Sequence, residues 1–557
     1  FKYVLLPNRD VKNLVKDLLS SIINKNILTG GSIDLIASSL QTRCGSFCST
    51  NDVFIFKAIE NLTKAKNIGF RDTDLKNKCL KNAVLLFEEA YESLTLENIE
   101  NSINIMLDLE FYAGAVGMLL NIAQKVGNNV KVPSLTFNQD DDSAPLKRDI
   151  AEIEKKKKSL YDLIFNILIK MDMKALKISD TNNQLLINEF LEIRDTAYDT
   201  CFASNDKNFQ YTFYDWFIQQ GVSERLLDIN TPFILPYLEE KSENNLALSD
   251  LLWLYHAKRE NYFDAAKILY ALSISQFNLE LNQRIEYLSR ANGFCNCVCP
   301  PNLRQKMIQL SSVIQELFEV ANVQLDILSR IKGDSRISEE NKNIATEALN
   351  YKILSISDLF NNYTDTLGYY DLSLLIFKVS DYKNTDDILK RWELFFEKIF
   401  HEFNLESKNK NEPFYVLLNE QFTACGSKLS SNDLVFPIDE LIKIASKYLQ
   451  EAFDENSASQ KPPKGFLVEM FVRTGVSYER LYYVIKSLIE HNTFEVYPGF
   501  TNDLKTNEIV YLIKNWYSQD KKLRELVSAE QIANSVNNYS VENDPINEII
   551  RNGDFVL

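Results

Sequence analysis

Apolar residues recur at three- and four-residue intervals along almost the whole chain. In LLFEEAYESL (Leu85 to Leu94) and SLYDLIFNILIKM (Ser159 to Met171) that spacing lays an apolar stripe on an α-helix. The longest case lies in NLRQKMIQLSSVIQELFEVANVQLDILSRI. There Leu303, Met307, Leu310, Ile314, Leu317, Ala321, Leu325, Leu328 and Ile331 step by four and three. That stripe predicts one helix about 44 Å long at 1.5 Å per residue. A coiled-coil seam is the alternative; a long helix in a stacked array is the favoured reading.

Capping signals divide the pattern into helices. In LALSDLLWLYHAK, Ser249 is a candidate N-cap with Asp250 at the positive end of the dipole. In RENYFDAAKILYAL, Asn261 is the candidate N-cap and Asp264 sits in the first turn. The pair reads as an αα-hairpin. Gly293 is expected to end the helix LNQRIEYLSRANG as a C′ residue. Hairpin follows hairpin without βαβ alternation and without a fixed repeat period. The predicted class is all-α: an elongated, irregular α-solenoid of stacked antiparallel helix hairpins.

Polar stretches interrupt the array. Val126 to Lys147, with two prolines and an acidic triplet, predicts a mobile surface loop at about 127–147. Asn404 to Pro413 reads as a short connection, and Ala452 to Gly465 as a linker. These give a main solenoid over 1–460 and a C-terminal helical continuation over 461–557, with a soft boundary near Pro462.

Composition narrows the class further. At 557 residues the chain exceeds what one growing core can hold. It opens on Phe1 rather than Met, which is expected of a fragment. Its 16 Gly and 13 Pro are few; average usage would give roughly 39 and 28. Sheet proteins need those residues at their turns, so the scarcity favours helices. A net charge of -16 repels phosphate backbones and argues against nucleic acid as a partner. No apolar run nears the 18 residues of a membrane span; the best lies at Phe111 to Leu120. No signal-peptide pattern opens the chain. Cysteines at 44, 48, 79, 201, 295, 297, 299 and 425 are too sparse for a disulfide scaffold and suit a reducing compartment.

The usual catalytic patterns are missing. His256, His401 and His491 each stand alone in helical context. No glycines have the spacing of GxGxxG, GxSxG or the Walker motif. EIEKKKK (Glu152 to Lys158) could be an import patch; the favoured reading is a solvated face with Glu152–Lys156 and Glu154–Lys158 pairs at i,i+4. Cys44 and Cys48 in RCGSFCS share a helical face but lack further local ligands. FCNCVCPP brings Cys295, Cys297 and Cys299 together before Pro300 and Pro301. A structural zinc wants four ligands and no histidine is near. The cysteines are read as small residues of a connection that tuck against helix ends. A metal- or thiol-dependent enzyme centred there is the competing reading. The expectation is no enzyme, no catalytic residue, no cofactor and no metal.

Several ordered segments resemble the C-terminal α-solenoid of the nucleoporin 155/170 family, closest to its fungal member. They are LQTRCGSFCSTNDVFIFKAIENLTKAK (Leu40 to Lys66), FYDWFIQQGVSERLLDINTPFILPYL (Phe213 to Leu238), LSDLLWLYHAKRENYFDAAKILYALS (Leu248 to Ser273), LNQRIEYLSRANG and PPKGFLVEMFVRTGVSYERLYYVIKSLIE (Pro462 to Glu490). The resemblance implies a non-enzymatic scaffold of the nuclear pore complex inner ring, at the nuclear envelope. It implies partners among other scaffold nucleoporins and short segments of disordered linker nucleoporins. It places the family's membrane-sensing segment in a propeller absent here, so no membrane insertion is expected, and a monomer is expected in isolation. A helical adaptor of a vesicle coat is the alternative. Phe213, Tyr214, Trp216, Trp253 and Tyr255 have the spacing of core residues. The aromatic-rich stretch from Phe466 to Tyr517 is the candidate partner surface.

Overall fold

A computed structural model describes residues 18, 21–23, 25, 49–68, 72–128, 144–179, 184–406, 413–455, 461–490, 507–537, 544 and 546. Every regular element among them is helical. The chain divides into two compact units, Phe1–Arg259 and Glu260–Leu557.

The first unit runs α1 (Thr50–Ile68), α2 (Thr73–Glu89), α3 (Leu96–Asp108), α4 (Tyr112–Asn128), α5 (Ala144–Ser179), α6 (Gln184–Phe202) and α7 (Lys207–Gln219). A 3₁₀ turn (Ser223–Asp228), α8 (Ile234–Ser242) and α9 (Leu246–Lys258) complete it. Each helix packs on its next or next-but-one neighbour: α1 on α2, α2 on α4, α4 on α5 and α6, α5 on α7, α8 on α9. That locality defines a helical array. Side chains satisfy the free N–H groups at helix starts: Asp72 accepts from Leu75, Thr95 from Asn98 and Asp206 from Asn208. The spacing of FYDWF puts Phe213 and Phe217 on one face of α7, with ring centroids 4.7 Å apart in the core. Phe213, Tyr214, Trp216, Trp253 and Tyr255 are all buried, as their spacing predicts.

The second unit continues with α10 (Tyr262–Ser273), α11 (Leu281–Cys295), α12 (Arg304–Gly333), α13 (Glu339–Tyr351) and the short α14 (Ile356–Leu359). A π-turn (Phe360–Thr364) leads to α15 (Asp365–Leu367), α16 (Tyr370–Val379), α17 (Thr385–Glu406) and α18 (Phe414–Leu429). Then follow α19 (Ile438–Glu455), α20 (Phe466–Arg473), α21 (Tyr478–Glu490), α22 (Ile509–Gln519), α23 (Lys521–Leu526) and α24 (Ala529–Asn537). Packing is again between near neighbours: α10 on α11, α11 on α12, α17 on α19, α18 on α20, α21 on α22. One apolar cluster runs from Leu374 to Ile546, so the position near Pro462 falls inside this unit.

Buried polar side chains bind the connections to the helices. Gln210 of α7 donates to the carbonyls of Cys201 and Ser204, both at 2.9 Å, at the end of α6. Arg284 of α11, 1% exposed, donates to Ser273, Ser275 and Phe277 beyond α10, at 2.9, 2.9 and 3.0 Å. Gln324 of α12 donates to the carbonyls of Leu349 and Lys352 and accepts from Leu354 N–H at 2.7 Å, closing α13. Each satisfies carbonyls that a helix end leaves without partners.

Several local expectations shift. Asn245 caps α9, accepting from Ala247 and Leu248, because Leu248 is already buried and the helix must start earlier. Ser249 lies within it, donating to Ser242 O at 2.7 Å. Asn261 does precede α10, but without a side-chain capping bond. Gly293 does not end α11: the helix runs two residues further to Cys295, since Phe294 stacks on Tyr262 at 5.7 Å. In the long seam of α12 the buried sequence passes from Ala321 to Gln324, while Leu325 is half-exposed. The pairs Glu152–Lys156 and Glu154–Lys158 are not formed; Lys157, in neither of them, pairs with Asp206 at 3.2 Å, at the start of α7. An exposed i,i+4 pair contributes only about 0.2–0.5 kcal/mol, too little to hold these side chains in register. Residues 129–143 of the expected loop, 407–412, 456–460, and Cys44 and Cys48 lie outside the described residues.

Candidate functional site

The second unit contains a cleft of about 760 Å³ walled by α12, α16, α17 and α18. Tyr369, at the start of α16, is its floor and is 1% exposed. Its hydroxyl donates to Asp334 at 2.7 Å. The cations of Arg336, Arg330 and Lys398 stand 5.6, 5.9 and 6.0 Å from its ring centroid, within cation–π range. Arg336 pairs with Asp334 at 2.7 Å, Arg330 with Asp371 at 2.6 Å and Lys428 with Asp326 at 2.7 Å. Lys398 differs. It donates to the Gly368 carbonyl at 3.2 Å, and no carboxylate among the described residues lies within ion-pair distance of it. Leu372, Leu375, Phe395 and Ile399 supply apolar wall.

The charges tune one another. The Arg336 guanidinium, with the Tyr369 hydroxyl behind it, holds the Asp334 carboxyl far below the usual carboxylate range. Burial, then the Asp334 carboxylate, pushes the Tyr369 phenol up to about 12. Burial pushes the Lys398 ammonium down from its usual value; Glu402 and Asp371 oppose that, while Arg336 and Arg330 add to it. Cys425, in the wall, is buried and its thiol is pushed well up by desolvation, so it is no nucleophile. The arrangement can grip an anionic side chain at Lys398, beside apolar wall. It lacks a base poised beside a nucleophile.

The sequence-level candidates scatter. Cys295 ends α11, and burial, then Cys297, pushes its thiol up to about 11. Cys297 is exposed with its thiol against Gly293 O, and Cys299 sits against Pro300 O. No group of three or more His, Cys, Asp or Glu among the described residues is placed to hold a metal. His256 is buried edge-on to Tyr255, His401 is exposed, and His491 lies outside the described residues. The aromatic residues described between Phe466 and Tyr517 divide between core and surface. Phe466, Phe471, Tyr482 and Trp516 are buried, and Tyr483 is exposed. Among the described residues no helix is long and apolar enough to cross a membrane.

Residues 1–552 match the family described as non-repetitive/WGA-negative nucleoporin C-terminal. The chain belongs to that nucleoporin family. Nucleoporin NUP170 of Saccharomyces cerevisiae is 37% identical over 99% of this chain and 36% of its own length. A probable nucleoporin of Schizosaccharomyces pombe is 32% identical over 91% of the chain and 37% of its own length. This nucleoporin chain thus spans little more than a third of those relatives. Among solved structures, the Chaetomium thermophilum Nup170 CTD–Nup145N complex is similar at 26% identity, with a TM-score of 0.69 over 90% of this chain and 99% of that one. The Nup170 CTD alone is similar at 26% identity, with a TM-score of 0.67 over 85% and 86%. The irregular α-solenoid assigned from sequence is the fold of these relatives.

Proposed function

We propose that this chain is a scaffold segment of the nuclear pore complex at the nuclear envelope, part of its inner ring. In this role it holds other nucleoporins and supports nucleocytoplasmic transport without catalysing a reaction. The observation that carries the reading is the nucleoporin family match across residues 1–552. The similarity to a Nup170 CTD solved in complex with Nup145N supports short segments of linker nucleoporins as partners. The match also sets aside a vesicle-coat adaptor, which shares helical-array physics but not these relatives. Arrays of this kind expose grooves between successive helices that receive peptides.

The Tyr369 cleft is the docking surface the geometry favours, because Lys398 awaits a carboxylate there. The test is calorimetric titration with a linker-nucleoporin segment carrying an acidic residue among apolar ones. Micromolar binding is expected, weakened at least tenfold by Lys398→Glu. Absence of nucleoporins among crosslinks in the assembled pore would sink the scaffold reading itself. Binding unchanged by Lys398→Glu would move the site elsewhere and leave that reading standing.

A further inference from the structure

A smaller groove, of about 330 Å³, lies in the first unit between the end of α5 and the start of α6. Phe190 is its floor, buried and edge-on to Tyr112 of α4 at 5.9 Å, so packed core closes the groove from behind. Ile187 and Leu191 line it from α6, both half-buried, and Leu176 lines it from α5. Leu176 is 69% exposed. Met173, Leu185 and Leu186, exposed as well, lie on the same two helix ends. A single exposed leucine is ordinary. Here the exposed apolar side chains gather where an accessible apolar groove opens, and that combination marks a contact site. A leucine left in water forgoes about 1.5–3 kcal/mol of burial free energy that a partner can supply.

Charge sets the chemistry of that partner. Arg194 and Arg225 both line the groove. Arg194 pairs with Asp195, its neighbour in sequence, at 3.1 Å, a surface contact of at most about 1 kcal/mol. Arg225 is exposed and stands 5.9 Å from the Tyr198 ring, and no carboxylate among the described residues lies within ion-pair distance of it. The carboxylate that lines the groove, Asp172, accepts from the Tyr198 hydroxyl at 2.6 Å. A guanidinium beside apolar surface is weakly hydrated and meets a carboxylate with two parallel bonds. The walls run from Asp172 to Ser179 and from Ile187 to Arg194, each about 10 Å, or two helical turns. We infer that the groove docks a short amphipathic helix of a partner protein. That helix seats leucine-type side chains over Phe190 and against Leu176, and turns an Asp or Glu to Arg225. The groove belongs to the first unit, and the inference does not depend on docking at the Tyr369 cleft.

The test uses the full chain and a fluorescein-labelled, capped, alanine-based peptide of about 15 residues, long enough to hold a helix. It carries two Leu four residues apart and a Glu one turn further on. Two counterparts replace the Glu by Lys or both Leu by Ser. Anisotropy should show saturable, micromolar binding of the first peptide and binding at least tenfold weaker for each counterpart. Leu176→Gln and Arg225→Glu change exposed side chains, so both variants should fold, and each should raise the first peptide's Kd at least tenfold. The same titration on Lys398→Glu should leave that Kd unchanged, which separates this groove from the Tyr369 cleft. No saturable binding, equal binding of the Lys peptide, or an unchanged Kd in Leu176→Gln would overturn the inference. A Kd raised by Lys398→Glu would do so too, and would place the peptide in the Tyr369 cleft. Sedimentation showing a dimer of this chain that Leu176→Gln dissociates would likewise overturn it, because the groove would then hold a second copy.

Discussion

Asp334 shows what single residues contribute. Its carboxyl is held low by Arg336 and Tyr369, so its folded pKa lies below its unfolded one. Such a group adds stability that is present above the unfolded value and lost as pH falls through the folded value. Asp334→Asn should therefore destabilise the second unit by about 1–2 kcal/mol near neutral pH. The difference should stay constant down to about pH 5 and shrink below about pH 4, where an unfolded Asp titrates. Urea denaturation of both proteins across pH checks this, and a pH-independent difference would refute it. Arg284 makes a larger contribution. It is buried without a carboxylate and serves three carbonyls, so Arg284→Met should cost roughly 3 kcal/mol. These residues were illegible in the sequence because periodicity assigns polar side chains to the surface. Gln324 is the clearest instance. The seven-residue step through Leu310, Leu317 and Ile331 passes through it, yet its polarity diverted the stripe to Leu325.

Among elements, the helix ends were the least legible part. One turn geometry closes helices at Glu110, Gly221, Gly368, Asp381 and Gly475, each with positive φ. In each, the next residue's N–H reaches five residues back, as Phe111 to Met106 O and Val222 to Phe217 O. Glycine marks only some of them, and the glycine read as a terminator, Gly293, sits inside a helix. A cap is decided by what packs after it, as Phe294 on Tyr262 shows, and that contact is not local in sequence. The geometry separates two costs. A Cβ at Gly221 would meet nothing within 4 Å, so Gly221→Ala should cost only the left-handed backbone term, about 1 kcal/mol. A Cβ at Gly465 would lie 2.0 Å from the Tyr511 ring as well. Gly465→Ala should cost roughly 3 kcal/mol, since overpacking adds to the backbone term. Thermal denaturation of the two variants tests the ordering, and equal shifts would contradict it.

The helical class was legible throughout because scarce glycine and proline, helical spacing and absent βαβ alternation all point one way. The candidate clefts were not, since the Tyr369 cleft draws on residues from Asp326 to Leu429 that meet only when α12, α16, α17 and α18 pack. Packing is mostly between near neighbours, with α12 also meeting α16, and that has an energetic consequence: in such an array, stability is largely a sum of local and nearest-neighbour terms. Trp392 tests this within the second unit. It is fully buried, donates to Val435 O and touches Phe395, Phe422 and Phe436. Trp392→Ala should cost roughly 3–5 kcal/mol, but that loss should not spread evenly. Amide exchange should quicken most in α16 to α19, which surround the cavity, and progressively less towards α22. A single cooperative core would instead show the same loss of protection along α10 to α24. Uniform acceleration there would reject the nearest-neighbour picture for this unit.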